Sequence, residues 1–148
     1  MPRISVAQLF EDNRARLHLA WIAGRDGGVK ELDPGSLKDS HEGLIGHLNF
    51  IHPNWIQVLA RPEIDHLDAL DSLARQQTLH RLVVSGLACM IVAGGARAPE
   101  HLQALADSMH APLFGSPLDS VELMWMLRPY LARVLAESTT MHGVFLDV

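Results

Sequence analysis

Nine histidines, His18, His41, His47, His52, His66, His80, His101, His110 and His142, supply enough imidazole to raise the question of a metal centre. Two imidazoles reach one ion when their spacing puts both on one face, as in His-x-His, His-x3-His or His-Glu-x2-His. No such pair occurs; His47 and His52 stand five apart across a proline turn. The histidines therefore read as scattered surface and half-buried residues, with no metal site assigned. A metal-binding regulator is the alternative that zinc retention through purification would reveal. Cys89, between Ala88 and Met90 in a strongly apolar stretch, reads as a core thiol, because burial raises its pKa and hides it from electrophiles.

Two glycine-rich turns have the composition to approach phosphate, Gly24-Arg25-Asp26-Gly27-Gly28 and Ala93-Gly94-Gly95-Ala96-Arg97. Neither fits G-x-x-x-x-G-K-[ST]. The second follows a strand pattern and precedes a helix pattern, where backbone N–H groups can hold an anion beside Arg97. It also reads simply as a strand-to-helix turn. The acidic pairs Glu63/Asp65 and Asp65/Asp68 read as a solvated helix face, and Trp21, Trp55 and Trp125 as core or interface anchors. Residue chemistry alone names no reaction.

The elements that position these groups follow from periodicity and punctuation. Ser5 caps a helix to about Leu17, and Leu17 to Gly24 reads as a strand. Asp33-Pro34-Gly35-Ser36 and His52-Pro53-Asn54 are turns, and Val29 to Glu42 reads as exposed. Leu44-Ile45-Gly46 and Ile56-Gln57-Val58-Leu59 are strand patterns. Arg61-Pro62 opens a helix carrying Ile64, Leu67, Leu70 and Leu73. Leu87 to Ala93 has the continuous apolar character of a strand covered on both faces. Pro99 starts a helix with Leu102, Leu105, Ala106 and Met109 on one stripe. Pro112 to Gly115 is a short strand. Ser116 then caps a helix to about Ala136, with Pro117 first and Asp119 in its opening turn. That helix is apolar on several sides, Val121 and Trp125 included, and so reads as enclosed. Met141 to Val148 is a last strand pattern. The alternation predicts an α/β fold, a layered domain with a central, largely parallel or mixed sheet.

The 148 residues suffice for one domain and a fragment of another, with 12 Lys+Arg against 17 Asp+Glu. A net charge of -5, with the basic residues scattered, argues against nucleic acid or acidic membrane as a partner. The longest apolar run, Leu87 to Ala96, is about half a membrane span, and no signal core follows Met1-Pro2-Arg3. One cysteine is compatible with a reducing compartment. These features predict a soluble cytoplasmic domain. The chain stops within an apolar strand pattern, Leu146-Asp147-Val148, so it reads as a piece of a longer protein.

Several stretches carry a resemblance. Residues 46–53 (GHLNFIHP), then Ile56-Gln57-Val58-Leu59 and Pro62-Glu63, resemble the N-terminal domain of the proteobacterial HPr kinase/phosphorylase family. Residues 139–148 (TTMHGVFLDV) resemble the family segment that enters the kinase domain just ahead of its P-loop. Ala98-Pro99-Glu100 and Ser116-Pro117-Leu118 match the pattern between them. Ala60 stands where members often have Gly, and Trp55 where a basic residue is common; Met141 and Phe145 are apolar exchanges within the motif.

The resemblance implies residues 1–138 as an N-terminal domain similar to those of the Mur ligases MurE and MurF. It implies residues 139–148 as linker and first strand of a kinase domain. The complete enzyme would use ATP and Mg²⁺ to phosphorylate a serine of HPr, or of a nitrogen-branch carrier, and reverse this by phosphorolysis. It would serve regulation of carbohydrate metabolism and assemble as a hexamer. His142 matches the family's active-site histidine and would act only in the complete enzyme. The 148-residue chain itself is expected to be non-catalytic, binding no cofactor, with a regulatory or assembly role. The alternative is a stand-alone module sensing a small ligand or anion through Gly94-Gly95 and Arg97.

Overall fold

The computed structural model describes residues 4–32, 45–48 and 54–147, with side chains as far as Leu135. Ile4–Ser5 (β1) leads directly into Val6–Leu17 (α1), because Ser5 Oγ accepts from the Gln8 N–H at 3.0 Å and caps the helix. His18 ends it at φ 52°, with Arg14 and Arg16 in the last turn, where cations meet the negative end of the dipole. Ala20–Ala23 (β2) stops at Gly24, whose φ of 69° starts a 3-10 turn over Arg25–Val29. A Cβ on Gly24 would fall 1.9 Å from the Ala111 carbonyl oxygen, so only glycine fits. Glu31–Leu32 (β3) then pairs antiparallel with β1.

Ile45–His47 (β4) and Ile56–Leu59 (β5) are followed by two helices, Arg61–Ala69 (α2) and Ser72–Val84 (α3). Next come Cys89–Val92 (β6), Glu100–Ser108 (α4), Leu113–Gly115 (β7) and Ser120–Asp147 (α5). The main sheet has the order β2-β7-β6-β5-β4, with β4 through β7 parallel and β2 antiparallel to β7. This is the mixed sheet of an α/β domain.

Alternation along the strands sorts the core into two layers. Ile56, Val58, Cys89, Ile91 and Phe114 pack with Leu9, Phe10 and Leu17 of α1 and Leu123, Leu127 and Leu131 of α5. Leu59, Met90, Val92 and Leu113 pack with α2, α3 and α4 through Ile64, Leu67, Leu79, Leu82, Leu102 and Ala106. Phe10, Trp21 and Phe114 meet with ring centroids about 5 Å apart, joining α1 to the β2–β7 edge.

Several local expectations are corrected. The last helix starts at Ser120 rather than after Ser116. Ser116 Oγ instead donates to the Leu17 carbonyl at 2.7 Å and accepts from the Leu118 N–H, while Asp119 takes the capping role by accepting from the Glu122 N–H at 2.8 Å. The helix opened by Arg61 breaks at Leu70, where ψ is 150° and Asp71 caps a new helix; Leu73 is consequently exposed. Leu32 is buried rather than exposed because β3 pairs with β1. The Asp33–Ser36 turn and His52-Pro53 lie outside the described residues. Val121 and Trp125 are 66% and 76% exposed, so α5 is not enclosed on every side.

The largest correction concerns Met141 to Val148. Residues 141–147 continue α5 as helix, and Val148 lies outside the described residues. A strand satisfies its backbone through a neighbouring strand. Among the described residues no strand pairs with 141–147, and the helical bonds of α5 satisfy the same groups.

Two core residues generate predictions. Gln57, between Ile56 and Val58 on β5, is fully buried, and among the described residues neither its Nε2 nor its Oε1 has a hydrogen-bond partner. An unsatisfied buried amide costs about 1–3 kcal/mol, whereas an apolar group of similar shape costs little. Gln57→Met should therefore raise stability in urea melts by about 1–3 kcal/mol; a loss would reveal a partner for the amide. Burial also pushes the Cys89 thiol up to about 12, with the charge of Lys30 opposing it weakly. An unfolded cysteine ionises near about 8.5. The native protein keeps the proton through that range, so its stabilising effect is full below about pH 8.5 and is lost as pH rises towards 12. Cys89→Ala should flatten part of the alkaline fall in melting temperature. In the native protein the thiol should resist a disulfide reagent at pH 8 until the chain is unfolded. Reaction of the folded protein as fast as the unfolded one would contradict the placement.

Candidate functional site

Parallel strands end at one edge of a sheet, so the residues just past them converge, and open α/β sheets bind ligands in the crevice outside those carboxyl ends. Past β5 come Ala60 and Arg61, past β6 the turn from Ala93 to Arg97, and past β7 the connection to Asp119 and Ser120. These residues line one cavity of about 440 Å³. Arg61 begins α2 and Ser120 begins α5, so two positive helix ends border it.

Gly94 and Gly95 form the floor at φ 70° and 68°. A Cβ on Gly94 would meet nothing within 4 Å, so backbone conformation rather than space requires glycine there. The Gly94 N–H donates to the Leu118 carbonyl at 2.7 Å, Gly95 to Ser116 at 2.9 Å and Ala96 to Ala93 at 3.3 Å. The Gly94 and Gly95 amides thus tie β6 to the β7–α5 connection. They are not available to an anion, contrary to the simplest reading of the sequence.

Side chains supply further donors to the cleft. Arg61 and Arg97 are exposed, and neither forms an ion pair among the described residues. Ser120 Oγ lies 2.8 Å from His47 Nε2, which joins the end of β4 to the first residue of α5. Asp119 contributes the one carboxylate of the lining, and its Oδ1 is held by the Glu122 N–H. At the start of α2, Glu63 Oε1 accepts from the Ala60 N–H at 2.7 Å, which caps the helix. Glu63 is therefore a structural group rather than part of a solvated face.

The other candidates are dispersed. The Gly24–Gly28 turn is packed against Ala111 and His110, and Arg25 stacks 5.7 Å from the centroid of Trp21. Cys89 is sealed in the core. His101 pairs with Asp68 at 2.6 Å, which ties α4 to α2, and His110 lies 3.6 Å from Asp26. No group of three or more His, Cys, Asp or Glu gathers on a metal-sized point among the described residues. His41 and His52 lie outside those residues. His142 lies on the helical backbone of α5, with its side chain outside them. No described helix is long and apolar enough to cross a membrane. Arg61 and Ser120 were not legible as site residues, although an Arg-Pro pair directly after a buried strand marks a helix start at a strand's carboxyl end.

Comparison with known proteins gives this geometry a family. Residues 4–131 match the model described as the HPr Serine kinase N terminus. The chain is 43% identical over 150 residues to the HPr kinase/phosphorylase of Nitrosomonas europaea, covering 100% of the chain and 46% of that relative. It is 42% identical over 148 residues to the enzyme of the same name from Chromobacterium violaceum, again covering 100% and 46%. For that of Stenotrophomonas maltophilia the identity is 37% over 145 residues. The chain thus spans about half the length of the curated relatives it matches. By this match along most of its length, the chain belongs to the HPr serine kinase N-terminus family.

Proposed function

We propose that this chain is the N-terminal, non-catalytic part of a bifunctional HPr serine kinase/phosphorylase. The observation that carries the reading is coverage: the whole chain aligns with less than half of each relative, and those relatives are named for kinase and phosphorylase activities. In the complete protein, the γ-phosphoryl of ATP passes to a serine hydroxyl of HPr or a nitrogen-branch carrier, and phosphorolysis removes it. Residues 139–148 begin the catalytic part, with His142 hydrogen-bonding phosphate oxygens or positioning the reacting groups. The protein works in the cytoplasm as a hexamer, and the fold of this N-terminal domain is similar to that of the N-terminal domains of MurE and MurF.

The residues present do not fit ATP and Mg²⁺ chemistry. The sequence has no G-x-x-x-x-G-K-[ST], and no carboxylate cluster suited to a metal exists among the described residues. The role of this part is accordingly regulation or assembly. The exposed ridge of Val121 and Trp125 on α5 supports it, since large apolar side chains side by side on a surface favour protein contact.

The test compares this chain with the complete protein, each incubated with HPr and Mg-ATP, and detects phosphoserine by mass spectrometry. The complete protein should transfer phosphate and the chain should not. His142→Ala in the complete protein should slow both directions by about 10²-fold. Transfer by the chain alone, or an unimpaired His142→Ala enzyme, would overturn the assignment.

A further inference from the structure

We propose that the cleft past β5 and β6 binds a small-molecule phosphate monoester, held by Arg61 and Arg97. The proposal rests on the cleft alone and is independent of the kinase reading. Arg61 and Arg97 line one concavity from adjacent strand ends. Elsewhere several arginines are engaged: Arg14 with Glu11, Arg16 with Asn13 and the Met126 carbonyl, and Arg25 over Trp21. The two cleft arginines have no such partner among the described residues, in a chain whose net charge is -5. Two guanidinium forks on one concave site match a tetrahedral dianion, which accepts from both at once.

The rest of the lining agrees with that ligand. The first residues of α2 and α5 border the cleft, and their helix dipoles favour negative charge. The Ser120 hydroxyl lies 2.8 Å from His47 Nε2, and it is a neutral donor for the ligand when that nitrogen carries the imidazole proton. Ala60, Ala93 and Ala96 give the apolar wall that an organic moiety needs. A volume of about 440 Å³ lies in the range of small-ligand pockets, roughly 300–1,000 Å³. The Asp119 carboxylate opposes an anion, but one carboxylate faces two guanidiniums, and the same balance disfavours a cation. A nucleic-acid polymer would need a basic surface beyond the cleft, which an acidic chain does not offer.

Calorimetric titration of the chain with ribose 5-phosphate, inorganic phosphate and ribose, at matched ionic strength, tests the proposal. Ribose 5-phosphate should bind saturably and raise the melting temperature, inorganic phosphate should bind more weakly, and ribose should not bind. Arg61→Gln and Arg97→Gln should each weaken ribose 5-phosphate by about tenfold or more, the effect of losing one charge-assisted hydrogen bond. Both arginines are exposed, so the ligand-free melting temperatures should match that of the parent chain, and Arg61→Lys should restore part of the affinity. Arg128→Gln, about 12 Å further along α5, is the control and should change nothing. The proposal fails if neither phosphate binds saturably, or if Arg128→Gln weakens binding as much as the cleft variants. Equal affinity for inorganic phosphate and the ester would overturn the monoester in favour of the free ion.

Discussion

Everything in this domain hangs on β6. Cys89, Met90, Ile91 and Val92 are at most 1% exposed, flanked by β5 and β7 and covered by helices on both faces. A strand in that position tolerates no side chain that requires water, which is why it is a continuous apolar run rather than an alternating one. It also leaves the chain one direction of escape. Beyond Val92 the backbone must leave the sheet edge and reach α4 on one layer, and the consecutive positive-φ glycines, Gly94 and Gly95, make that reversal. The bonds from Gly94 and Gly95 to the β7–α5 connection fix where α5 begins. The cleft is the geometric residue of these demands. Its walls are the first residues of chain that the packed sheet no longer constrains.

What could be read from the sequence follows how local each signal is. The Ser5 cap, the stripe of Leu102 and Ala106 and the apolar run of β6 depend on neighbours within a few residues, and the structure keeps them. The family resemblance, spread over the whole chain, is likewise upheld. Signals decided at long range are lost. Ser116 has every local mark of a helix cap, yet its hydroxyl bonds the carbonyl of Leu17, a residue brought close only by the β2–β7 pairing. Met141 to Asp147 has the composition of a strand, but composition cannot supply a neighbouring strand. Asp71 interrupts a leucine periodicity that otherwise runs through it, because a good cap next to an extended residue outweighs a continuous stripe.

The site shows the same division. Gly94, Gly95 and Arg97 are visible as a strand-to-helix turn, and the structure places them on the cleft. The expected use of the turn's amides fails because those amides have protein partners. Arg61 and His47 come from other strands, and only the parallel order β4-β5-β6 brings them to the same edge. Sequence can place a residue at the end of a strand, but adjacency between strand ends is a property of topology.

The antiparallel pairing of β2 with β7 has a consequence during synthesis. Trp21 and Ala23 find their partners Phe114 and Leu113 about ninety residues downstream. At elongation rates of roughly 5–20 residues per second, β2 and the aromatic side of α1 wait several seconds before that edge exists. In that interval Phe10 and Trp21 have no Phe114 to pack against. Until β7 emerges, the nascent N-terminal third therefore leaves uncovered an aromatic surface that the finished fold buries.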